Sequence, residues 1–326
     1  MSTFPETRLR RLRRTESLRG LTGQPVPTLG KMIWPVFVID GEKQKTEISS
    51  MPGQFRMSAD ELCRAVEPLA KQGLGGLMLF GVLDEALKTA DGSAAFAEDG
   101  LVQRAVKTLK TEFPKLTLFT DVCLCGYTDH GHCGPIKSGT VDNDAALPIL
   151  GKIALSHAAA GADGVAPSAM MDGQVAAIRR ALEENDFTDT ILMSYSTKFA
   201  SALYGPFRDA AESSPQCGDR KAYQLDPSDL RQALRESQID EEEGADILMV
   251  KPATFYLDII SKVRKNTELP LAAYNVSGEY AMLHTLAKSG GGDLYALARE
   301  NLTAIQRAGA DILITYWANR YDLIFE

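Results

Sequence analysis

Eight short apolar runs, each separated from the next by segments of helical periodicity, constrain the fold of this chain more than any other feature. The runs occupy residues 32–39, 75–82, 116–124, 164–167, 191–195, 247–250, 271–276 and 312–317. Between them, residues 59–72, 101–113, 145–160, 173–185, 230–243 and 256–266, and the pair 279–289 and 294–308, carry helical patterns. Strands alternating with helices run parallel, with the helices as crossovers. A tripeptide echo supports a cyclic array. Gly161-Ala162-Asp163, Gly244-Ala245-Asp246 and Gly309-Ala310-Asp311 each stand between a helical segment and the next run. Glycine there suits the left-handed residue that ends a helix. Eight units predict a (β/α)8 TIM barrel over residues 31–326, with residues 1–30 as an extended N-terminal arm. An open doubly wound sheet is the alternative, although no G-x-G-x-x-G follows the first run.

Composition removes several function classes. The formal charge of −8 argues against a general nucleic-acid partner. No apolar stretch approaches the ~20 residues of a membrane span. Five cysteines, an odd number at uneven spacing, argue against a secreted disulfide framework. The arm is basic, with Arg8, Arg10, Arg11, Arg13, Arg14 and Arg19, but Glu6 and Glu16 interrupt it and an apolar signal core is missing. It reads as a solvated arm or as one gripping a neighbouring subunit. The expected location is cytoplasmic.

Barrel active sites collect at the C-terminal ends of the strands, and those ends are chemically rich here. Residues 121–134 read Asp-Val-Cys-Leu-Cys-Gly-Tyr-Thr-Asp-His-Gly-His-Cys-Gly. If Cys123 and Cys125 continue the third strand, both sulfurs share one face. Cys133 returns after a loop bearing His130 and His132. Three thiolates hold zinc at about 2.3 Å and leave a fourth position open, as catalytic sites do. Buried thiols that merely cluster are the alternative. Lys198 and Lys251 lie near the ends of adjacent runs. A lysine in an apolar mouth, close to another cation, loses pKa and gains the nucleophilicity that Schiff-base chemistry needs. Otherwise each is a stem buried against the wall with its ammonium in solvent. Residues 201–229, rich in Gly, Pro and Ser and carrying Arg208 and Arg220, read as an active-site lid able to clamp a carboxylate, or as a solvated loop.

These motifs together resemble the porphobilinogen synthase, or 5-aminolevulinate dehydratase, family. The 121–134 segment looks like that family's metal motif. Met193 to Ser201 and Tyr204 to Asp209 resemble its first lysine and lid, Met249-Val250-Lys251-Pro252 its Schiff-base lysine, and Tyr274 to Tyr280 the end of its seventh strand. The similarity runs from the arm through Met51-Pro52-Gly53 to Tyr316. It implies a condensation of two 5-aminolevulinate molecules to porphobilinogen and two waters, a lyase step of tetrapyrrole and heme biosynthesis. By this resemblance Lys251 binds the first substrate and Lys198 the second. Ser277 and Tyr316 hold the first carboxylate, and Arg208 and Arg220 the second. Cys123, Cys125 and Cys133 bind catalytic zinc, and Asp121 accepts a proton. Glu236 matches an allosteric Mg²⁺ site, and the expected assembly is a homo-octamer. Ala222 stands where some relatives carry a cysteine, and Asn275 replaces a frequent glutamine.

Two other readings use the same residues. A class I aldolase needs one Schiff-base lysine and no cysteine cluster. A non-catalytic zinc protein needs the cysteines and no reactive lysine.

Overall fold

The computed structural model describes residues 3–23, 26–216 and 218–325. Eight parallel strands form the barrel: β1 (Met32–Val38), β2 (Gly76–Gly81), β3 (Thr117–Val122), β4 (Gly164–Pro167), β5 (Ile191–Lys198), β6 (Ile247–Lys251), β7 (Leu271–Asn275) and β8 (Ile312–Thr315). Each pairs with the next, and β8 closes on β1 at Met32↔Leu313. Closure excludes the open sheet. The strands are apolar along their length because both faces are covered; β1, β6 and β7 are buried throughout.

The crossover helices are α1 (Ala59–Lys71), α2 (Leu101–Glu112), α3 (Asn143–Ala159), α4 (Gln174–Glu184), α5 (Leu230–Glu242), α6 (Leu257–Arg264), and the pair α7 (Ser277–Lys288) and α8 (Leu294–Ala308). In α1 the buried residues are Leu62, Val66 and Leu69, a single helical stripe against the barrel. The stripe of α5 is unlike it: Ala233, Ser237 and Asp240 are the residues turned inward. That polar face meets polar groups on β5, as described below.

The tripeptide echo performs one repeated task. The three glycines adopt φ of +100°, +101° and +127°, open to glycine and costly for a residue with a Cβ. The aspartate that follows each one grips the preceding strand. Leu118, Leu192 and Leu271 donate their N–H groups to Asp163, Asp246 and Asp311 at 2.8, 2.7 and 2.9 Å. Each carboxylate also takes a cation from the helix leading into that strand: Lys110 of α2, Arg179 of α4 and Arg264 of α6. Neighbouring strands are therefore locked in pairs, β3 with β4, β5 with β6 and β7 with β8, at the N-terminal face, which in this fold serves stability. Asp246→Ala strands the Leu192 N–H and removes the carboxylate partner of Arg179 Nη2, which keeps its bond to the Gly244 carbonyl. We expect it to lower stability by about 1–3 kcal/mol, read as an earlier urea midpoint. Turnover per folded molecule should be unchanged, and a lowered turnover would place this lock in the catalytic machinery.

Several boundaries differ from the sequence expectation. Strand β3 stops at Val122, so Cys123 and Cys125 lie in the turn beyond it. Strand β5 runs on to Lys198, and β8 stops before Tyr316, which begins a 3-10 turn, Tyr316–Arg320. A hairpin of Lys45–Glu47 and Phe55–Met57 extends from β1. The 201–229 segment is less irregular than expected, because it contains a helix, Gly205–Ala210. In the arm, Leu9–Arg13 and Glu16–Thr22 are helical and bury no residue on this barrel. Among the described residues no helix is long and apolar enough to cross a membrane.

Candidate active site

Lys198 and Lys251 are the last residues of β5 and β6, and the two are paired across the sheet. A β-bulge puts them there. Ser194 pairs with Leu248 and Thr197 with Val250, so β5 spends one residue more than β6 over the same stretch. The extra residue shifts the phase of the alternation. Ser194 and Thr197 both face α5, bonding Asp240 and Ser237. Tyr195 and Lys198 both face the barrel interior, where each amine lies over the Tyr195 ring. Strict alternation would have put Ser194 and Lys198 on the same face.

Both lysines are 5% exposed, so neither keeps its ammonium in solvent. Their surroundings differ. Lys198 Nζ donates to the Ser168 carbonyl at 2.5 Å. Lys251 Nζ has no hydrogen-bond acceptor among the described residues. It sits among rings, with centroids at 4.3 Å for Tyr274, 5.0 Å for Tyr195 and Phe207, and 5.3 Å for Tyr204. Burial, then the neighbouring Lys198 charge, brings its pKa down to about 7. A neutral amine is thus accessible near neutral pH.

On the opposite wall the Sγ atoms of Cys123, Cys125 and Cys133 lie within 4.8 Å of one another, all buried. The turn after β3 brings them together, rather than the strand alternation expected. Among the described residues they are the one group of three or more His, Cys, Asp or Glu so closely gathered. S–H donation from Cys123 and Cys125 holds the Cys133 thiol well below its usual range, and Arg220 and Lys198 add to this against burial. Three sulfurs so closely gathered are a donor set that suits zinc. His132 instead places Nδ1 3.1 Å from the Tyr223 hydroxyl. Asp121 sits between the cysteines and the lysines. Its Oδ1 is shut off from solvent and has no partner. Burial and then Cys125 push its pKa up to about 6, with Lys198 opposing.

The 201–229 segment packs over these groups. Arg56 binds the Ala210 carbonyl at 2.8 Å and Glu212 at 3.0 Å, and Lys88 Nζ binds the Glu212 carbonyl at 2.6 Å. The space left between Asp121, Cys123, Cys125, Phe207 and Ser213 is about 20 Å³. Arg208 lies on the lid helix. Arg220 lies beyond it, its Nη2 held by the carbonyls of Gly131 and Ser213. Burial and then Arg220 lower the Arg208 pKa. Both Nε atoms are buried without acceptors, and neither guanidinium has a carboxylate partner among the described residues. Two guanidinium groups without a carboxylate partner can accept an anion.

Ser277 opens α7, its Oγ 3.5 Å from the Leu203 carbonyl. A Cβ on the next residue, Gly278, would stand 2.4 Å from that same oxygen, so only glycine allows α7 to approach the lid base. The Tyr316 hydroxyl lies 3.1 Å from that of Tyr274, beside Lys251. Glu236 is remote from all of these. It lines a cleft of about 360 Å³ with Asp172, Asp226, Asp240 and Ala222. Burial, then Asp172 and Glu243, raise its pKa, so this is no simple solvated helix face.

The sequence reading omitted the ring cage, the Ser168 carbonyl and the lid anchors Arg56 and Lys88. Tyr204 and Phe207 belong to a motif that carries the resemblance, but nothing in it marks their rings as a cage for Lys251. Arg56 and Lys88 carry no local pattern that separates them from other surface cations.

A family model described as delta-aminolevulinic acid dehydratase matches residues 6–323. The chain is 49% identical over 311 residues to the delta-aminolevulinic acid dehydratase of Halalkalibacterium halodurans, covering 95% of this chain and 94% of that protein. Its identity to the Escherichia coli delta-aminolevulinic acid dehydratase is 48% over 311 residues, 95% of each. A crystal structure of delta-aminolevulinic acid dehydratase (porphobilinogen synthase) from Toxoplasma gondii, in complex with the reaction product porphobilinogen, matches with a TM-score of 0.94. It is 43% identical, over 96% of this chain and 90% of that one.

Proposed function

The chain belongs to the delta-aminolevulinic acid dehydratase family, and we propose that it joins two 5-aminolevulinate molecules into porphobilinogen through imines at Lys251 and Lys198. The observation that carries this reading is the cross-strand pair itself: two buried amines side by side, one of them with a pKa of about 7. The neutral Lys251 amine attacks the keto carbon of the first substrate, and loss of water leaves an imine. Lys198 does the same with the second. The new carbon–carbon and carbon–nitrogen bonds return both lysines as free amines, so two waters leave per pyrrole formed. Ser277 and Tyr316 orient the first carboxylate, and Arg208 and Arg220 neutralise the second. Asp121, raised to about 6, takes the proton lost from carbon. The 201–229 segment, packed over these groups, excludes bulk water that would hydrolyse the imines.

Cys123, Cys125 and Cys133 would hold zinc, which when bound acts as a Lewis acid on the second substrate. Glu236 would hold a regulatory Mg²⁺ largely through waters, since no close ligand cluster surrounds it among the described residues. If so, Mg²⁺ stimulates the wild type and leaves Glu236→Ala unresponsive; an equal response in both removes Glu236 as the ligand. The helical pieces Leu9–Arg13 and Glu16–Thr22 of the arm, which bury no residue on their own barrel, fit assembly with other copies into an octamer.

The test of the function is borohydride reduction in the presence of 5-aminolevulinate, followed by intact mass, alongside a chromogenic assay for the pyrrole. A trapped adduct with pyrrole product is expected. An adduct without pyrrole would favour an aldolase, and neither would favour a non-catalytic zinc protein.

A further inference from the structure

Glu279 is wholly buried, and no cation pairs with it among the described residues. A carboxylate in that position is expensive unless every lone pair is used. Here each oxygen takes two N–H donors. Oε1 accepts from the backbone of Ala253 and Thr254 at 3.1 and 2.5 Å. Oε2 accepts from the Val276 N–H at 2.7 Å and from Asn275 Nδ2 at 3.2 Å. Asn275 carries the connection onward: its Oδ1 accepts from Thr315 Oγ1 at 3.1 Å, and its Nδ2 donates to Asn301 Oδ1 at 3.0 Å. Asn301 in turn donates to Thr254 Oγ1 at 3.0 Å.

The anchored positions are the neighbours of three groups at the mouth. Ala253 and Thr254 follow Lys251 by two and three residues. Val276 precedes Ser277, and Thr315 precedes Tyr316. These sit at the C-terminal ends of three different strands, β6, β7 and β8. We propose that Glu279, acting through Asn275, is the positioning residue that sets Lys251, Ser277 and Tyr316 in common register to receive the first 5-aminolevulinate. It touches no reacting atom. The inference rests on the substrate roles proposed above for those three groups, and it also gives Asn275 a task.

The chemistry of the hub makes the test sharp. Glutamine has nearly the volume of glutamate but offers one acceptor oxygen, and its NH₂ must face two N–H donors. Glu279→Gln therefore breaks the hub without opening a cavity. Product formation should be measured against 5-aminolevulinate concentration, with the borohydride-trapped Lys251 adduct quantified by peptide mass. We expect the half-saturating concentration to rise about tenfold or more, with the adduct at low substrate falling in proportion. Asn301→Ala, which loosens the network from α8, should shift both in the same direction by a smaller factor, about threefold. A residue needed only for folding would lower the melting temperature or turnover at unchanged half-saturation. That result in either variant, or wild-type values in both, overturns the proposal. Should Glu279→Gln fail to fold, Asn301→Ala decides alone. Wild-type protein that traps no adduct and makes no pyrrole would instead defeat the functional reading.

Discussion

Lys251→Ala protein should fold and yet form no measurable porphobilinogen, a loss of about 10⁴-fold or more, as for other covalent nucleophiles. Position and environment both support this size of effect. Lys251 ends β6 with its amine enclosed by four rings, and no other described amine shares that cage except its cross-strand partner at the edge. The same environment fixes a pH signature. The pKa falls from 10.5 to about 7, so the nucleophilic form is half populated near pH 7 and declines tenfold per unit below it. Adduct formation should follow that acid limb. The linkage to stability has the opposite origin but the same direction: between about 7 and 10.5 the unfolded chain holds the proton and the folded one does not, so stability rises with pH there. Lys251→Met, which keeps most of the stem's volume, should melt no lower than wild type at neutral pH while being inactive. Near-normal turnover by purified Lys251→Ala protein would sink the assignment.

The barrel was legible because its two periods are written in the chain, and because the Gly-Ala-Asp echo marks a repeated structural task. What that task was could not be read: each aspartate works through a leucine N–H and a cation from elsewhere in the sequence. The cysteines were legible as a cluster, but for a reason that did not hold, since a turn and not a strand gathers them. The lysines were legible as adjacent. Their inward aim was not, because it depends on a bulge in β5 that breaks the alternation from which facing is inferred. Glu279 shows the remaining limit. Beside Ser277 and Gly278 it reads as an ordinary acidic residue in a first helical turn, favourable to the helix dipole. Only the closed barrel brings the turn after β6 and the end of β7 within reach of its two oxygens.

Stripping the metal from Cys123, Cys125 and Cys133 should silence the enzyme, and zinc should restore it only while the thiols remain reduced. The three sulfurs lie within 4.8 Å of one another, so the bare site holds an oxidisable pair whichever two combine. Neighbouring S–H donors hold the Cys133 pKa well below its usual range, and thiolate is the attacking form. Air-exposed apo-protein should therefore lose two titratable thiols, while zinc-loaded protein keeps them, a readout independent of turnover. Cys63 lies on α1, away from the cluster, and serves as the internal reference. A soft thiolate set also favours soft metals, so lead should displace zinc and inhibit. Elemental analysis closes the test. Protein proven free of metal that still makes porphobilinogen at the wild-type rate would reduce the cysteines to packing, and the second substrate would then have to be activated by Lys198 and Asp121 alone.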